Sequence, residues 1–590
     1  MIAIRHLLLA ATALAAPLLA AAPALADPAA DFHALEADYW ANYLKESPIT
    51  ASSVGVQDYD RQLDEIGVAA MDRQAAENAI FLTRLDAIPT ATLDPADRAN
   101  AAILHRQLAF AVEGNRYGAR ELAYSILGSY HNSLAGMADG LPFRNAADYD
   151  NYLARLALVP ARMAAYSALS VDAARHGYTQ PCVTMTKFED TITGVVTPDP
   201  VQSHFYAPFA GPRPATIDAG RWAALQGQAK TLISDRINPA YRAFDAAYVR
   251  DIKARCRTNV AVSALPDGKA YYAFQVRQQT TTDLTPAQIH DIGLGEVARI
   301  RAAMTALAVK SGFASREAMI ADMRTNAKYF ARSGDELIAA AALQAKRIDG
   351  RMPTLFGRLP RLPYGVKPIP AETAPGSTTA YYSPGSPAAG ISGTYYVNLS
   401  KLDQRPLWEL PALTAHEAVP GHHHQIALQQ ELAMPAWRQY TVSFTAFVEG
   451  WGLYSEHLGI ELGIYDTPQK DMGRLSFEMW RACRLVVDTG IHAQGWSKER
   501  AVAYMKDNSA LTDANIDAEV NRYISNPGQA LAYKLGELKI LELRARAERA
   551  LGSKFDVRRF HDALLGHGPV PLDTLDTQIN DWIAAEKSRS

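Results

Sequence analysis

Leu413-Thr-Ala-His-Glu-Ala-Val-Pro-Gly-His-His-His-Gln425 is the stretch on which the reading of this chain turns. A His-Glu pair followed closely by more histidines is what a hydrolytic zinc site needs. Neutral imidazole suits zinc, and the adjacent carboxylate can take a proton from an activated water. In the common short motif the two histidines stand at i and i+4, one helical turn apart. Here the i+4 position from His416 is Pro420, which cannot ligate; His422 is i+6 and His423 is i+7. Pro420 removes a backbone donor, and its ring clashes with the carbonyl of His416, so a helix cannot run through undisturbed. A local bulge of two residues puts His422 in the i+4 role. An undisturbed helix favours His423, because seven residues return to nearly the same angle. His422 is taken as the second ligand, with His423 as the alternative, and Glu417 as the general base.

A third ligand is expected from a neighbouring helix. Phe444–Glu456 reads Phe-Thr-Ala-Phe-Val-Glu-Gly-Trp-Gly-Leu-Tyr-Ser-Glu. Glu449 is a lone carboxylate after an apolar approach, and burying it is costly unless a cation meets it. Gly450 allows another backbone to come close. Glu456, seven residues on, lies on the same helical face and can orient a ligand histidine. Farther along, Arg484, Asp488 and His492 recur every four residues as a polar stripe among Leu485, Val486, Val487 and Ile491. An Asp one turn before a His can hold it as imidazolium, which makes His492 a candidate oxyanion donor; a structural salt-bridge ladder is the alternative. Arg522, Tyr523, Gln529, Tyr533 and Lys534 form a further group. A tyrosine there, Tyr523 first, can stabilise the oxyanion, and the Gln, Lys or Arg can hold a substrate carboxylate.

These residues carry a resemblance. The His-Glu pair with the later Glu-Gly-Trp-Gly-x-Tyr segment resembles the gluzincin zinc peptidases, whose third ligand is a Glu in a similar context. The closer resemblance is to the bacterial family catalogued as domain of unknown function 885, whose hallmark His-Glu-Ala-x-Pro-Gly-His-His is present at His416–His423. Leu265–Tyr272, Thr280–Ile300, Glu449–Glu456, Asp488–Trp496 and Arg522–Gly536 resemble the same family. The resemblance implies a mainly α fold: a large helical zinc-peptidase-like body with a small β-sheet near the active site.

The rest of the chain fits that expectation. Residues 31–175 carry apolar residues at three- and four-residue spacing, as in Asp94–Val112 and Asn151–Ser170. Residues 181–222, richer in Pro, Thr and Gly, read as a connecting segment. Ala270-Tyr-Tyr-Ala-Phe274 is aromatic and β-prone. Thr285, Pro286 and Gln288 mark a capped helix start. Leu359–Leu399 is strand-like, with Tyr381-Tyr382 and Tyr395-Tyr396-Val397 beside turns, and Thr394–Asn398 offers an edge for an extended peptide by analogy with zinc peptidases. The division expected is residues 27–260 as an N-terminal helical region and 261–590 as a catalytic region continuous with it.

Composition excludes several classes. The chain has 590 residues, 48% hydrophobic and 21% charged, enough for a large core. Lys+Arg is 59 against Asp+Glu 62, a net charge of -3, so neither the basic footprint of nucleic-acid binding nor an acidic solvating chain is present. Three Cys cannot build a disulfide scaffold or a Cys-rich metal cluster, so a metal falls to His and carboxylate. Cys182 and Cys256 can pair, leaving Cys483; three buried thiols are the alternative. Residues 1–26 read as a signal peptide: one Arg, an apolar run, then Ala24-Leu25-Ala26 as the cleavage pattern. Pro17 and Pro23 and the absence of a following Cys argue against a membrane helix or a lipid anchor, so an exported, periplasmic or secreted protein is expected.

The function expected is zinc-dependent cleavage of peptide bonds in short peptides, with His416, His422 and Glu449 on Zn2+, Glu417 as base and His492 and Tyr523 assisting. The alternatives are an inactive periplasmic binding or scaffold protein on a peptidase fold, and a zinc hydrolase of non-peptide amides or esters.

Overall fold

Several helices begin where the sequence supplies a cap. In the computed structural model, which describes residues 27–370, 374, 377–387 and 391–589, Asp27 accepts from the first turn of α1 (Pro28–Glu46). The helix α2 spans Val68–Asp86. Asp94 caps α3 (Pro95–Gly114), and Asn145 caps α4 (Ala146–Arg175). The expected export signal lies outside the described residues. Phe32 and Leu35 of α1, Phe81 of α2 and Leu104 of α3 are buried in one cluster with Trp437, Phe447, Trp451, Ile540 and Leu575. The first three helices therefore cover the site-bearing part of the chain. A separate core gathers α4 with Phe188, Phe205, Trp222 and Tyr241.

The segment 181–222 is a series of short helical and 3-10 turns whose Phe188, Ile192, Phe205 and Phe209 are buried. Cys182 is disulfide-bonded to Cys256 and Cys483 is a buried free thiol. The β-prone aromatic stretch at 270–274 is instead inside a helix, α5 (Gly268–Thr280). Its Tyr272, Val276 and Thr280 fall every four residues and are all buried, so packing on one helical face overrides the local strand preference of the aromatics. Next, α6 (Pro286–Lys310) opens on the expected capping box, with Thr285 and Gln288 bonded reciprocally.

Among the described residues the strands form one three-stranded sheet in the order β1-β3-β2: β1 (Tyr364–Pro368) is parallel to β3 (Gly393–Val397), and β2 (Ala380–Ser383) is antiparallel to it. The expectation of a free edge at Thr394–Asn398 is not met. Strand β3 is the central one, and its backbone is paired on both sides.

Six helices then carry the site. These are α7 (Leu410–Glu417), α8 (His422–Glu431), α9 (Thr445–Leu458), α10 (Pro468–Gln494), α11 (Asp513–Ser525) and α12 (Ala532–Leu551). Helix α6 packs along α10, and α9 along α12. The α9–α12 crossing is close because two glycines meet there: a Cβ on Gly450 would stand 2.5 Å from the Cα of Gly536. Helix α7 lies against α9, α10 and β2, with every residue from Leu410 to His416 buried.

Candidate metal centre

The unusual spacing of the motif is resolved by a break between two helices. Helix α7 ends at Glu417, Ala418 leaves helical geometry at φ -100°, ψ -103°, and α8 starts at His422. Gly421 turns back so tightly that any Cβ there would meet the His416 carbonyl oxygen. The indole of Trp451 on α9 donates to the Pro420 carbonyl at 2.8 Å, which ties the break to the helix that carries Glu449.

This geometry brings His416, His422 and Glu449 together. One donor atom from each lies within 4.8 Å of the others. His416 Nε2 is 3.6 Å and His422 Nε2 3.5 Å from the same oxygen, Glu449 Oε2. The two imidazoles are perpendicular, with centroids 4.7 Å apart. Ligands at zinc bond lengths of about 2.0–2.1 Å in a tetrahedron stand about 3.3 Å from one another, so the observed spacing suits such an ion. Glu449 Oε2 is buried and has no hydrogen-bond partner, a costly arrangement for a carboxylate unless a cation meets it.

The neighbours reinforce the demand for positive charge. His416 Nδ1 donates to Glu456 Oε1 at 2.9 Å, which aims Nε2 at Glu449. Glu456 is in turn held by Arg481 at 3.0 Å. Burial pulls the His416 imidazolium down, but Glu449 and Glu456 outweigh it and lift the group to about 9. Burial likewise raises Glu449, and the two imidazoles more than reverse this, holding its carboxyl well below the usual range. Burial raises Glu417, with the imidazoles opposing and Glu449 assisting. A carboxyl raised in this way beside a ligand set is suited to accept and return a proton.

The structure separates the two candidate second ligands. His423 turns away, its Nδ1 3.0 Å from the Tyr382 hydroxyl and its ring against Tyr364. His424 is packed on Phe356.

The expected roles of His492 and Tyr523 are not met. His492 is fully buried; its Nδ1 accepts from the Val262 backbone N–H at 3.0 Å and its Nε2 donates to the Tyr523 carbonyl at 3.0 Å. Burial lowers it to about 4, so it is a neutral structural imidazole with no free nitrogen. Asp488 does not orient it: that carboxylate accepts from the Tyr272 hydroxyl at 2.6 Å and the Gly528 N–H. The Tyr523 hydroxyl is equally committed, accepting from Trp480 and Arg484 and donating to Glu519. Lys534, wholly buried, is surrounded by Glu296, Glu478 and Glu537 at 3.0, 3.0 and 2.6 Å. The tyrosine beside the centre is Tyr533, whose ring stacks on that of His416 with centroids 6.4 Å apart. Arg481, which sequence reasoning passed over, stands one turn before Arg484 on α10; that spacing was the available signal.

The family model described as "Bacterial protein of unknown function (DUF885)" matches residues 48–579. The chain belongs to the DUF885 family. Two solved structures extend the comparison. A candidate lipoprotein from Colwellia psychrerythraea is 27% identical, with a TM-score of 0.87 over 95% of this chain and 100% of that one. A candidate lipoprotein of unknown function from Shewanella oneidensis shares the fold at 18% identity, with a TM-score of 0.69 over 94% of this chain and 100% of that one. Among curated proteins no match is found. No helix among the described residues of this DUF885 chain is long and apolar enough to cross a membrane.

Proposed function

We propose that this DUF885 protein is a zinc-dependent hydrolase that cleaves peptide bonds in short peptides. The observation that carries the reading is the convergence of His416 Nε2 and His422 Nε2 on the partnerless Glu449 Oε2, with Glu417 one residue beyond the first ligand. His416, His422 and Glu449 would hold the ion, and Glu456 with Arg481 would fix the His416 ring. Bound zinc supplies a Lewis acid and brings the pKa of water from about 15.7 toward roughly 7. Glu417 takes the proton of the attacking water and delivers it to the leaving amine. Tyr533, partly buried beside His416, is the hydroxyl best placed to meet the developing oxyanion. The Cys182–Cys256 disulfide supports an oxidising compartment, the periplasm in this reading.

The test is Glu417→Gln in the full chain. Stoichiometric zinc by elemental analysis should be kept, while turnover of a short-peptide library falls by about 10²–10⁴-fold. Full hydrolytic activity in that variant would remove Glu417 as the base. A wild-type protein that holds no zinc after careful handling would favour the scaffold alternative.

A further inference from the structure

Beside the metal triad two guanidinium groups share one carboxylate. Arg484 Nη2 lies 2.9 Å from Glu519 Oε2, and Arg522 meets the same carboxylate with Nε at 3.1 Å and Nη2 at 2.9 Å. Arg484 is buried, and its Nη1 has no hydrogen-bond partner. Arg522 is the exposed member, with 20% of its side chain open. Its Nη1 donates to Gln529 Oε1, and the Gln529 amide reaches the Tyr533 hydroxyl at 3.4 Å. Three of the five N–H groups of Arg522 are thus used, which leaves one on Nη1 and one on Nη2. Asp488, whose carboxyl feels the Arg522 charge, is engaged by Tyr272 and Gly528, and burial outweighs these and pushes it up to about 7. The pair of arginines therefore carries surplus positive charge in a desolvated place, which is unfavourable unless an anion completes it.

The position of this pair indicates what the anion is. From the His416 imidazole the Tyr533 ring is one step of 6.4 Å, and from the Tyr533 ring the Arg484 guanidinium is a second step of 4.2 Å. An extended residue spans about 3.3–3.6 Å, so Arg484, with Arg522 on the same Glu519 carboxylate, stands within the reach of a tail of one to three residues beyond the bond being cut. A free α-carboxylate is the planar anion that every peptide offers at such a distance, and the outer edge of a guanidinium binds it through two N–H groups. We propose that Arg522, backed by Arg484 and aligned by Gln529, binds the C-terminal α-carboxylate of the substrate, so that the protein releases short fragments from peptide C-termini. This rests on the zinc-hydrolase reading above and names its substrate class.

The experiment uses three peptides on the zinc-loaded full chain: one sequence as the free acid and as the C-terminal amide, and the same sequence with its last residue replaced by Glu, as the amide. The free acid should be cut to release fragments of one to three residues by mass spectrometry, with kcat/KM about 10- to 100-fold above the amide. Arg522→Gln should bring the acid-over-amide ratio of kcat/KM down to about one. A second readout needs no turnover. In Glu417→Gln, calorimetry should show the dipeptide Ala-Phe binding at least about tenfold tighter as the acid than as its amide, and adding Arg522→Gln should erase the difference. Equal cleavage of acid and amide would overturn the carboxylate site and leave the hydrolase reading standing. Discrimination in binding with no cleavage of any peptide would do the reverse. Preference for the Glu-ended amide would assign the arginines to an acidic side chain and overturn the C-terminal assignment. The acid-against-amide comparison on the unaltered protein holds even if Arg522→Gln does not fold.

Discussion

Gly452 gives a test of the proposed metal centre that leaves His416, His422 and Glu449 unaltered. A Cβ at this position would stand 2.8 Å from Cε1, 2.9 Å from Nε2 and 3.1 Å from Nδ1 of His416, where ordinary contact begins near 3.4 Å. Gly452→Ala must push the ring back by about half an ångström. The ring cannot slide freely, because Nδ1 is tethered to Glu456 at 2.9 Å. Metal–ligand distances tolerate about ±0.2 Å, so the displacement falls on the ion. We expect zinc affinity to drop by about 10- to 100-fold, or about 1.4–2.7 kcal/mol. The helix itself does not suffer, since Ala is favoured over Gly in a helix interior by about 1 kcal/mol. Competition with a chromogenic chelator measures the affinity, and thermal unfolding of the metal-free protein confirms that the variant is folded. A folded Gly452→Ala protein with wild-type zinc affinity would refute the assignment of His416 as a ligand.

Two further outcomes are expected. Glu456→Gln should weaken zinc binding by about 10- to 100-fold, as loss of a carboxylate partner to a ligand imidazole does; the same chelator competition measures it, and unchanged affinity would show that the 2.9 Å contact does not tune the ligand. The third outcome concerns acid stability. Burial lowers His131 to about 4, and the Thr191 contact opposes it only in part. The folded protein keeps this ring neutral while the unfolded chain takes up a proton below about 6.5, so its contribution is complete above pH 6.5 and is lost as pH falls toward 4. The loss at pH 5 is about 2 kcal/mol. In urea titrations His131→Gln should therefore lose about 2 kcal/mol less than the wild type between pH 7 and pH 5, and parallel pH profiles would contradict the assignment.

The parts of the fold that could be read from sequence are those set by local chemistry. The capping box at Thr285 and Gln288 is a contact between residues three apart, so the sequence contains both partners. The strand-like Tyr381-Tyr382 and Tyr395-Tyr396-Val397 lie in β2 and β3. The order of the strands was not legible, because β1 pairs with β3 across a long excursion that places β2 on the other side. The stretch at 270–274 misled because five residues of aromatic and small side chains satisfy a strand pattern. Only the longer run to Thr280, with its four-residue spacing of buried positions, reveals the helix.

The site divides along the same line. Pro420 made it legible that the helix must be interrupted after His416, and the interruption favours His422 over His423 as the ring that faces Glu449. The form of the interruption differs from a bulge: two helices meet at a sharp turn, and Trp451 of α9 holds the turn through its bond to the Pro420 carbonyl. That bond couples the Glu449 segment to the motif, which explains why Glu449-Gly450-Trp451 reads as one unit. The stripe of Arg484, Asp488 and His492 was correctly placed on one face of one helix, but a periodicity fixes only the face. What stands across from it arrives from Val262, Tyr272, Glu519 and Tyr523, on segments remote in sequence. With backbone groups on both its nitrogens, His492 has no proton to offer a substrate, whereas the same face leaves Arg484 with an unused donor beside Tyr533. The chemistry proposed for that helix thus moves from the imidazole to the guanidinium, from stabilising an oxyanion to backing Arg522 on the neighbouring α11.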